Sequence, residues 1–435
     1  MKKLQFVIAA PSSGSGKTTF TIGLARYFTQ QGFKVQCFKC GPDYLDPVLH
    51  SHTTGLPCIN LDTIIMSENH VRELFNHYSA KADISIVEGV MGLFDGGSKD
   101  KGSTAEIAAL LELPVILLMN VKGTAYSIAP LLYGLKNFNN NVNVKGVVFN
   151  SVNSVRHFEI LKEAALDVSI RSYGFLPSDT AAMIPSRHLG LDTSKERAFE
   201  KVAETVAGLI EKNIDMPSFI SDVEMEEEHL DEVKSTFNPK AGVLAMAKDE
   251  AFSFLYQENV AWLQRRFKVI YFSPLRDIEV PEADVLYLPG GYPELFLNQL
   301  NSNKSMLDSI LRFCNSGKRV WAECGGFMYL GKEIVSKDGS AYPMVGFFDY
   351  STTMLPSKLH LGYRSISING LVLKGHEFHY STLYEDDHVR LTEKFFNIRG
   401  EEVPSAVYHK KNVKASYIHL YWGEDETGAG KYLFL

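Results

Sequence analysis

An α/β protein of two domains is what the sequence predicts, and three observations carry that reading. Over the first 210 residues, short runs rich in Val, Ile and Leu alternate with longer amphipathic stretches. The same alternation restarts near residue 241. Between the two lies "DVEMEEEHLDE" (222–232), seven carboxylates in eleven residues without a Lys or Arg, the composition of a solvated connector. At 435 residues the chain is also longer than one ordinary domain. The expected division is residues 1–212, an acidic linker at 213–239, and residues 240–435.

In chain order, "LQFVIAA" (4–10), "KVQCF" (34–38), "DISIVEG" (83–89), "PVILLMN" (114–120) and "VKGVVFN" (144–150) read as strands. Helix-like stretches at 17–31, 104–112 and 124–137 separate them. Near-continuous apolar strands separated by helices indicate a parallel sheet covered on both faces. The second half repeats the pattern: "AGVLAMA" (241–247), a helix over 251–266, "KVIYF" (268–272), "DVLYLPGG" (284–291), two helices, and "RVWAEC" (319–324). Beyond about 340 the pieces shorten to "YRSISING", "GHEFHYS" and "VKASYIHLYW", all β-like.

Composition excludes several classes of function. Hydrophobic residues at 45% and charged residues at 22% are the balance of a globular enzyme. A net charge of −7 argues against nucleic acid as a partner, since phosphate backbones need a basic face. No apolar run reaches the roughly 18 residues of a membrane span. Five scattered cysteines make no disulfide framework, and a cytoplasmic location is expected. Cys37 and Cys40 form a C-x-x-C without a second pair at zinc spacing, so they read as ordinary strand residues.

"PSSGSGKTT" follows a strand and precedes a helix, the context a phosphate loop requires. Backbone N–H groups from Gly14, Ser15 and Gly16 to Thr19 wrap phosphates there, Lys17 neutralises them and the Thr18 hydroxyl ligates magnesium. Pro11 stands where the usual pattern begins with Gly. Carboxylates follow at strand ends: Asp43 and Asp46 in "KCGPDYLDP", Glu88 and Asp95 in "SIVEGVMGLFDG". Parallel strands gather their carboxyl ends on one edge. Four carboxylates beside a phosphate cradle repel ATP unless cations intervene, which implies Mg2+. Such a site serves either hydrolysis coupled to motion or transfer of the γ-phosphoryl to a carboxylate.

In "WAECGGFMYLG" a strand ends in Cys324, then Gly325 and Gly326 lead into a helix. That is the arrangement of a nucleophile elbow, where the tight turn exposes the sulfur, and the helix N-terminus lowers its pKa and offers N–H groups to an oxyanion. Gly290 and Gly291 of "LPGGYPE" end the preceding strand and supply the other side of the oxyanion pocket, Gly291 with Gly325. His419 in "SYIHLYWG" is the candidate base. A buried core thiol and a satisfied histidine explain these residues singly, but not together and in this order.

This constellation resembles the class I glutamine amidotransferase domain. Its usual His-x-Glu would put Glu at position 421, where this chain has Tyr421, so the third member of the triad is open; the cobyrinate and cobyrate branch is similar in lacking it. Together "APSSGSGKTT", "KCGPDYLDP", "EGVMGLFDG", "PGGYPE", "ECGGFMYL" and "GHEFHYS" resemble the cobyrinate a,c-diamide synthase family over nearly the whole chain. The resemblance implies an N-terminal domain similar to dethiobiotin synthetase. With ATP and Mg2+ it phosphorylates the a and c carboxylates of a corrin-type tetrapyrrole, and ammonia from L-glutamine then displaces phosphate. Carried over, Lys17 and Thr18 hold phosphate and metal, and Asp43, Asp46, Glu88 and Asp95 surround the magnesium. Asn150 is similar to the adenine-reading amide, Cys324 is the nucleophile and His419 its base.

Period-2 alternation in "GHEFHYS" sets His376, Phe378 and Tyr380 on one side of a strand and Glu377 and His379 on the other, and the H-E-x-x-H zinc spacing is absent. A related synthase acting on nickel-sirohydrochlorin shares the motifs. From a different class, a partitioning-type ATPase explains the first half alone. A homodimer stays open.

Overall fold

The computed structural model describes residues 2–178, 193–226, 242–368, 370–384, 394–424 and 428–434. The chain divides into two compact units, Met1–Val233 and Lys234–Leu435.

The first unit runs β1 (Lys2–Ala9), α1 (Lys17–Gln30), β2 (Val35–Cys40), α2 (Leu45–Thr54), β3 (Ile59–Leu61), α3 (Glu68–Ser79), β4 (Ile84–Glu88), α4 (Thr104–Leu110) and β5 (Val115–Asn120). It continues with α5 (Ile128–Asn137), β6 (Val144–Val152), α6 (Val155–Asp167), β7 (Arg171–Pro177), α7 (Thr193–Asn213), α8 (Met216–Val223) and β8 (Glu224–Glu226). The sheet order is β3-β2-β4-β1-β5-β6-β7, all parallel. Phe6, Ile86, Ile116 and Leu118 on the sheet pack against Phe20 and Leu24 of α1 and Val206 and Ile210 of α7. Gly23 makes the α1–α7 approach possible: a Cβ there would stand 2.2 Å from Val206 Cγ1.

Residues 213–226, expected to belong to the acidic linker, are instead part of the first unit's helices and sheet. Asp215 caps α8 through Ser218 N–H at 3.2 Å. Phe219 inserts edge-on against Phe6 and Tyr173, with ring centroids 5.1 and 5.3 Å away. β8 then pairs antiparallel with the start of β1, Lys3 opposite Met225, and Lys2 meets Glu224 at 2.7 Å. Three buried apolar residues, Met216, Phe219 and Val223, decide the matter over the carboxylates among them. The rest of the acidic stretch, 227–241, lies outside the described residues.

The second unit opens with β9 (Val243–Ala247), α9 (Gln257–Arg266), β10 (Lys268–Phe272), β11 (Val285–Leu288), α10 (Leu297–Ser302), α11 (Lys304–Asn315), β12 (Arg319–Glu323) and α12 (Gly325–Leu330). A six-stranded sheet runs β10-β9-β11-β12 and then Val413–Ser416 and Val407–Lys410, parallel except for the last pair. A second sheet places Leu371–His379 between His360–Ile368 and His419–Tyr421, with His376 opposite His419. The helix expected from 251 starts at Gln257, because residues 251–256 are a loop. Asp249 Oδ1 accepts from the N–H groups of Ala251 and Phe252, and Phe254 bridges to Gly290. The chain's last described helix, Ala429–Phe434, buries Phe434 against Trp422 and Tyr287.

Cys37 and Cys40 are both free and buried in β2, every residue of which is buried. Burial pushes the Cys40 thiol up to about 12, so it stays protonated and inert. Among the described residues no helix is long and apolar enough to cross a membrane.

Candidate functional site

At the carboxyl edge of the first sheet, the loop between β1 and α1 turns through Gly14 at φ 76° and Gly16 at φ 95°. Both lie in the left-handed region, and Gly16 has a second reason to lack a side chain: a Cβ would stand 2.4 Å from Asn150 Nδ2. Asn150, opposite Asn120 near the carboxyl end of β6, donates from Nδ2 to Ser15 O at 2.9 Å. Its Oδ1 accepts the N–H of Ser151 at 2.9 Å. The amide expected to read adenine is thus engaged in holding the loop. Ser15 is buried, and Thr19 sits half-buried in the first turn of α1. Lys17 Nζ donates to Met91 O at 2.5 Å and to Ser12 O at 3.2 Å, which ties the phosphate loop to the "EGVMGLF" loop.

Thr18, Asp46 and Glu88 meet at one point. Thr18 Oγ1 lies 2.7 Å from Glu88 Oε1 and 3.1 Å from Asp46 Oδ2. The fourth member was not singled out from the sequence. Lys39, buried in β2, sends Nζ to Asp46 Oδ2 at 2.6 Å and Glu88 Oε1 at 2.8 Å, with Asp43 Oδ2 at 3.8 Å. His50 of α2 completes the cluster, Nε2 standing 2.5 Å from Glu88 Oε2. Burial works against the charge on Lys39, but the three carboxylates outweigh it and hold the amine well above its ordinary value. Burial pushes Asp46 up to about 6, against the pull of Lys39. Glu88 goes the other way: burial opposes its ionisation, and Lys39 and His50 together bring it below the usual carboxylate range.

Asp43 and Asp95 serve the turns around this point. Asp43 Oδ1 accepts the N–H of Leu45 at 2.8 Å and opens α2. Asp95 Oδ2 accepts the N–H of Gly92 at 2.9 Å, and no contact joins it to the Lys39 cluster. Among the described residues no group of three or more His, Cys, Asp or Glu is arranged to hold a metal by itself. The Thr18 hydroxyl and the Asp46 and Glu88 carboxylates nevertheless fit a magnesium that shares its remaining ligands with phosphates, since they supply hard oxygens on the rim of a phosphate loop.

The second unit builds its site around a strained residue. Cys324, between β12 and α12, has φ 44° and ψ −98°, unusual for a residue with a Cβ. Its N–H donates to Ser416 O at 2.8 Å and the Gly326 N–H to Pro289 O at 3.0 Å, so two neighbouring segments hold the turn. The thiol is 3% exposed and donates to Phe378 O at 3.8 Å. This corrects the expectation of an exposed sulfur with a lowered pKa: burial, with Glu294 and Glu323 nearby, holds the thiol well above its ordinary value and outweighs the help of the Gly325 N–H.

Gly291 and Gly325 come together: a Cβ on Gly325 would stand 3.0 Å from Gly291 N. Gly290 meets His419, whose Cε1 would lie 2.1 Å from a Cβ there. His419 is fully buried, stacked on His376 at 5.1 Å, and burial drives its imidazole well below the usual range. Burial therefore favours its neutral form. The strand Leu371–His379 is buried on both faces around Gly375–Glu377, so its polar residues pair internally. His379 stacks on Tyr417 at 3.8 Å and meets Glu377 at 2.9 Å, while Arg364 clamps the other Glu377 oxygen at 2.7 Å.

Comparison with known proteins adds to this geometry. A family model described as the CobQ/CobB/MinD/ParA nucleotide binding domain matches residues 6–191. A second, the CobB/CobQ-like glutamine amidotransferase domain, matches residues 243–427. The chain is 36% identical to a hydrogenobyrinate a,c-diamide synthase of Brucella abortus over 430 residues, covering 95% of this chain and 98% of that one. It is 37% identical to a cobyrinate a,c-diamide synthase of Listeria innocua, covering 98% and 99%. The septum site-determining protein MinD of Pyrococcus horikoshii, solved with Mg-ADP, aligns with 47% of the chain at 21% identity and a TM-score of 0.29.

Proposed function

The chain belongs to the family of cobyrinate and hydrogenobyrinate a,c-diamide synthases, and from that membership we propose that it is an ATP-dependent carbon–nitrogen ligase of cobalamin biosynthesis. Its substrate is cobyrinate or a closely related tetrapyrrole, whose a and c carboxylates become amides with nitrogen drawn from glutamine. One observation carries the reading. A phosphate loop facing buried carboxylates and a cysteine at φ 44° on a strand-to-helix turn occur in one chain. A partitioning-type ATPase has use for the first and none for the second.

Carboxylate oxygens are poor leaving groups, so nitrogen cannot displace them directly. In the first unit a substrate carboxylate oxygen attacks the γ-phosphorus of ATP, ADP departs, and an acyl phosphate forms. Lys17 gives up its carbonyl partners for the phosphates, and the Lys39 ammonium supplies positive charge where the transferring group gains negative charge. Thr18, Asp46 and Glu88 are the oxygens we assign to Mg2+, which when bound draws charge off the phosphates.

In the second unit the Cys324 thiolate adds to the side-chain carbonyl of glutamine. The Gly291 and Gly325 amides face the oxyanion. His419 takes the thiol proton and returns it to the departing nitrogen, so ammonia leaves and a glutamyl thioester remains for water to hydrolyse. Ammonia then attacks the acyl carbon and phosphate leaves. Burial disfavours the free thiolate, so removal of its proton falls to His419.

The test is glutamine-dependent ATP turnover with cobyrinate and with hydrogenobyrinate, in wild type and Cys324→Ser. The variant should lose glutamine use and still amidate with ammonium chloride. ATP hydrolysis indifferent to both tetrapyrrole and glutamine would overturn the reading.

A further inference from the structure

Position 421, two residues beyond His419, carries no carboxylate. Tyr421 stands there, its ring packed edge-on against Tyr256 at 5.4 Å. A carboxylate reaches the same imidazole from another direction. Glu323 ends β12 one residue before Cys324 and is 2% exposed. Its Oε2 lies 3.9 Å from His419 Nδ1.

The Glu323 carboxylate cannot swing away. Oε1 accepts from Trp321 Nε1 at 2.8 Å and from the N–H of Leu420 at 3.1 Å. Oε2 accepts from the Tyr287 hydroxyl at 3.0 Å. All three donors are neutral, and one belongs to the residue after His419, so the same head group fixes the strand that carries the base. The adjacent histidines are placed for other tasks. His379 has Nδ1 on Ser381 O at 2.8 Å and Nε2 on Glu377 at 2.9 Å, which occupies both ring nitrogens. His376 Nδ1 pairs with the Tyr256 hydroxyl at 2.9 Å.

We propose that Glu323 is the positioning residue for His419. It orients the imidazole by accepting from Nδ1–H, leaves Nε2 as the base, and stabilises the imidazolium formed when the Cys324 proton arrives. The role that the family of triads gives to a carboxylate on the histidine's own strand is here supplied from the cysteine's strand. Separations between catalytic groups in a ligand-free site commonly shorten in the substrate complex, and 3.9 Å is within that reach. The inference rests on Cys324 and His419 acting as nucleophile and base.

The experiment measures glutamine hydrolysis and ammonia-dependent amidation in Glu323→Gln and Glu323→Asp, beside Cys324→Ser. Gln keeps an acceptor for Trp321 and Leu420 but removes the charge. We expect its kcat for glutamine to fall on the order of 10²-fold, with KM within about twofold, as for loss of one preorganised electrostatic group. Ammonia-dependent amidation should stay at the wild-type rate, and Asp should recover part of the lost kcat. Equal loss of both activities would assign Glu323 a structural role only and overturn the proposal, as would a glutamine kcat within about threefold of wild type. If Cys324→Ser itself still used glutamine, the reading of the site beneath the proposal would be the one that fails.

Discussion

Lys39 Nζ and Glu88 Oε1 stand 2.8 Å apart with the two side chains 3% and 0% exposed, an ion pair shut off from water at the edge of the phosphate loop. Asp46 and His50 extend it, so one buried point holds a lysine, two carboxylates and a histidine. Buried charges are costly, and a cluster of this kind seldom repays its desolvation in stability. Under the proposed reaction, its position beside Thr18 would give it another use, since an ammonium fixed in advance where phosphoryl charge develops needs no reorganisation.

Replacing Lys39 by Met should therefore harm twice. Asp46 and Glu88 would be left buried with only the Thr18 hydroxyl and His50 to answer them, at a cost of about 3 kcal/mol in folding stability. ATP-dependent amidation should fall by at least about 10²-fold, while glutamine hydrolysis in the second unit persists. Urea unfolding and the two activities, measured side by side, check this. A variant as stable and as active as wild type would remove Lys39 from both accounts.

The two glycines of the phosphate loop should respond unequally. Gly14→Ala meets nothing within 4 Å and bears only the left-handed backbone, worth about 1 kcal/mol. Gly16→Ala carries the same backbone penalty and also drives its methyl into Asn150 Nδ2, 2.4 Å away. ATP affinity, read by titration with a fluorescent nucleotide, should drop several-fold further for the second than for the first. Equal affinities would mean that Asn150 yields freely and does not hold the loop.

Gly290→Ala makes the matching prediction for the other unit. Its methyl would sit 2.1 Å from His419 Cε1, so either the ring or the "PGG" backbone must move. Glutamine hydrolysis should fall on the order of 10²-fold, and ammonia-dependent amidation should not change. Wild-type glutamine turnover would show that His419 need not stand where it does.

Much of this was legible in the residue pattern, for physical reasons that also mark the failures. "GSGKTT" between an apolar run and an amphipathic one specifies its own conformation, because Gly14 and Gly16 take backbone angles that other residues avoid. "AECGG" is similar, the glycines making room at a crowded turn. Lys39 was not legible. A lysine in "VQCFKC" reads as the solvent side of a strand, and only pairing of β2 with β4 brings it to Glu88. Glu323 was hidden in the same way. Its role depends on a strand almost 100 residues later, through Leu420 N–H, and local periodicity carries no such information. The acidic run misled in the opposite sense, since carboxylate count outweighed three spaced apolar residues that find a core.

The Glu323 carboxyl should make folding stability depend on pH. Burial pushes it up to about 7, and the donors Trp321, Leu420 and Tyr287 pull back only in part. A carboxyl raised in the folded state binds its proton more tightly there than in the unfolded chain. Between the ordinary carboxyl value near 4.5 and about 7, folding stability should thus decline as pH rises, and the dependence should level off above that window. The shift is worth on the order of 3 kcal/mol across the window. Glu323→Gln removes the titration and should flatten this part of the profile. It should be about as stable as wild type at pH 5 and more stable at pH 8, even as its glutamine turnover falls. Thermal midpoints of the two proteins at the two pH values measure the difference directly. A gap that stays constant between pH 5 and pH 8 would show that Glu323 keeps an ordinary carboxyl value, and that burial of its head group is relieved by solvent.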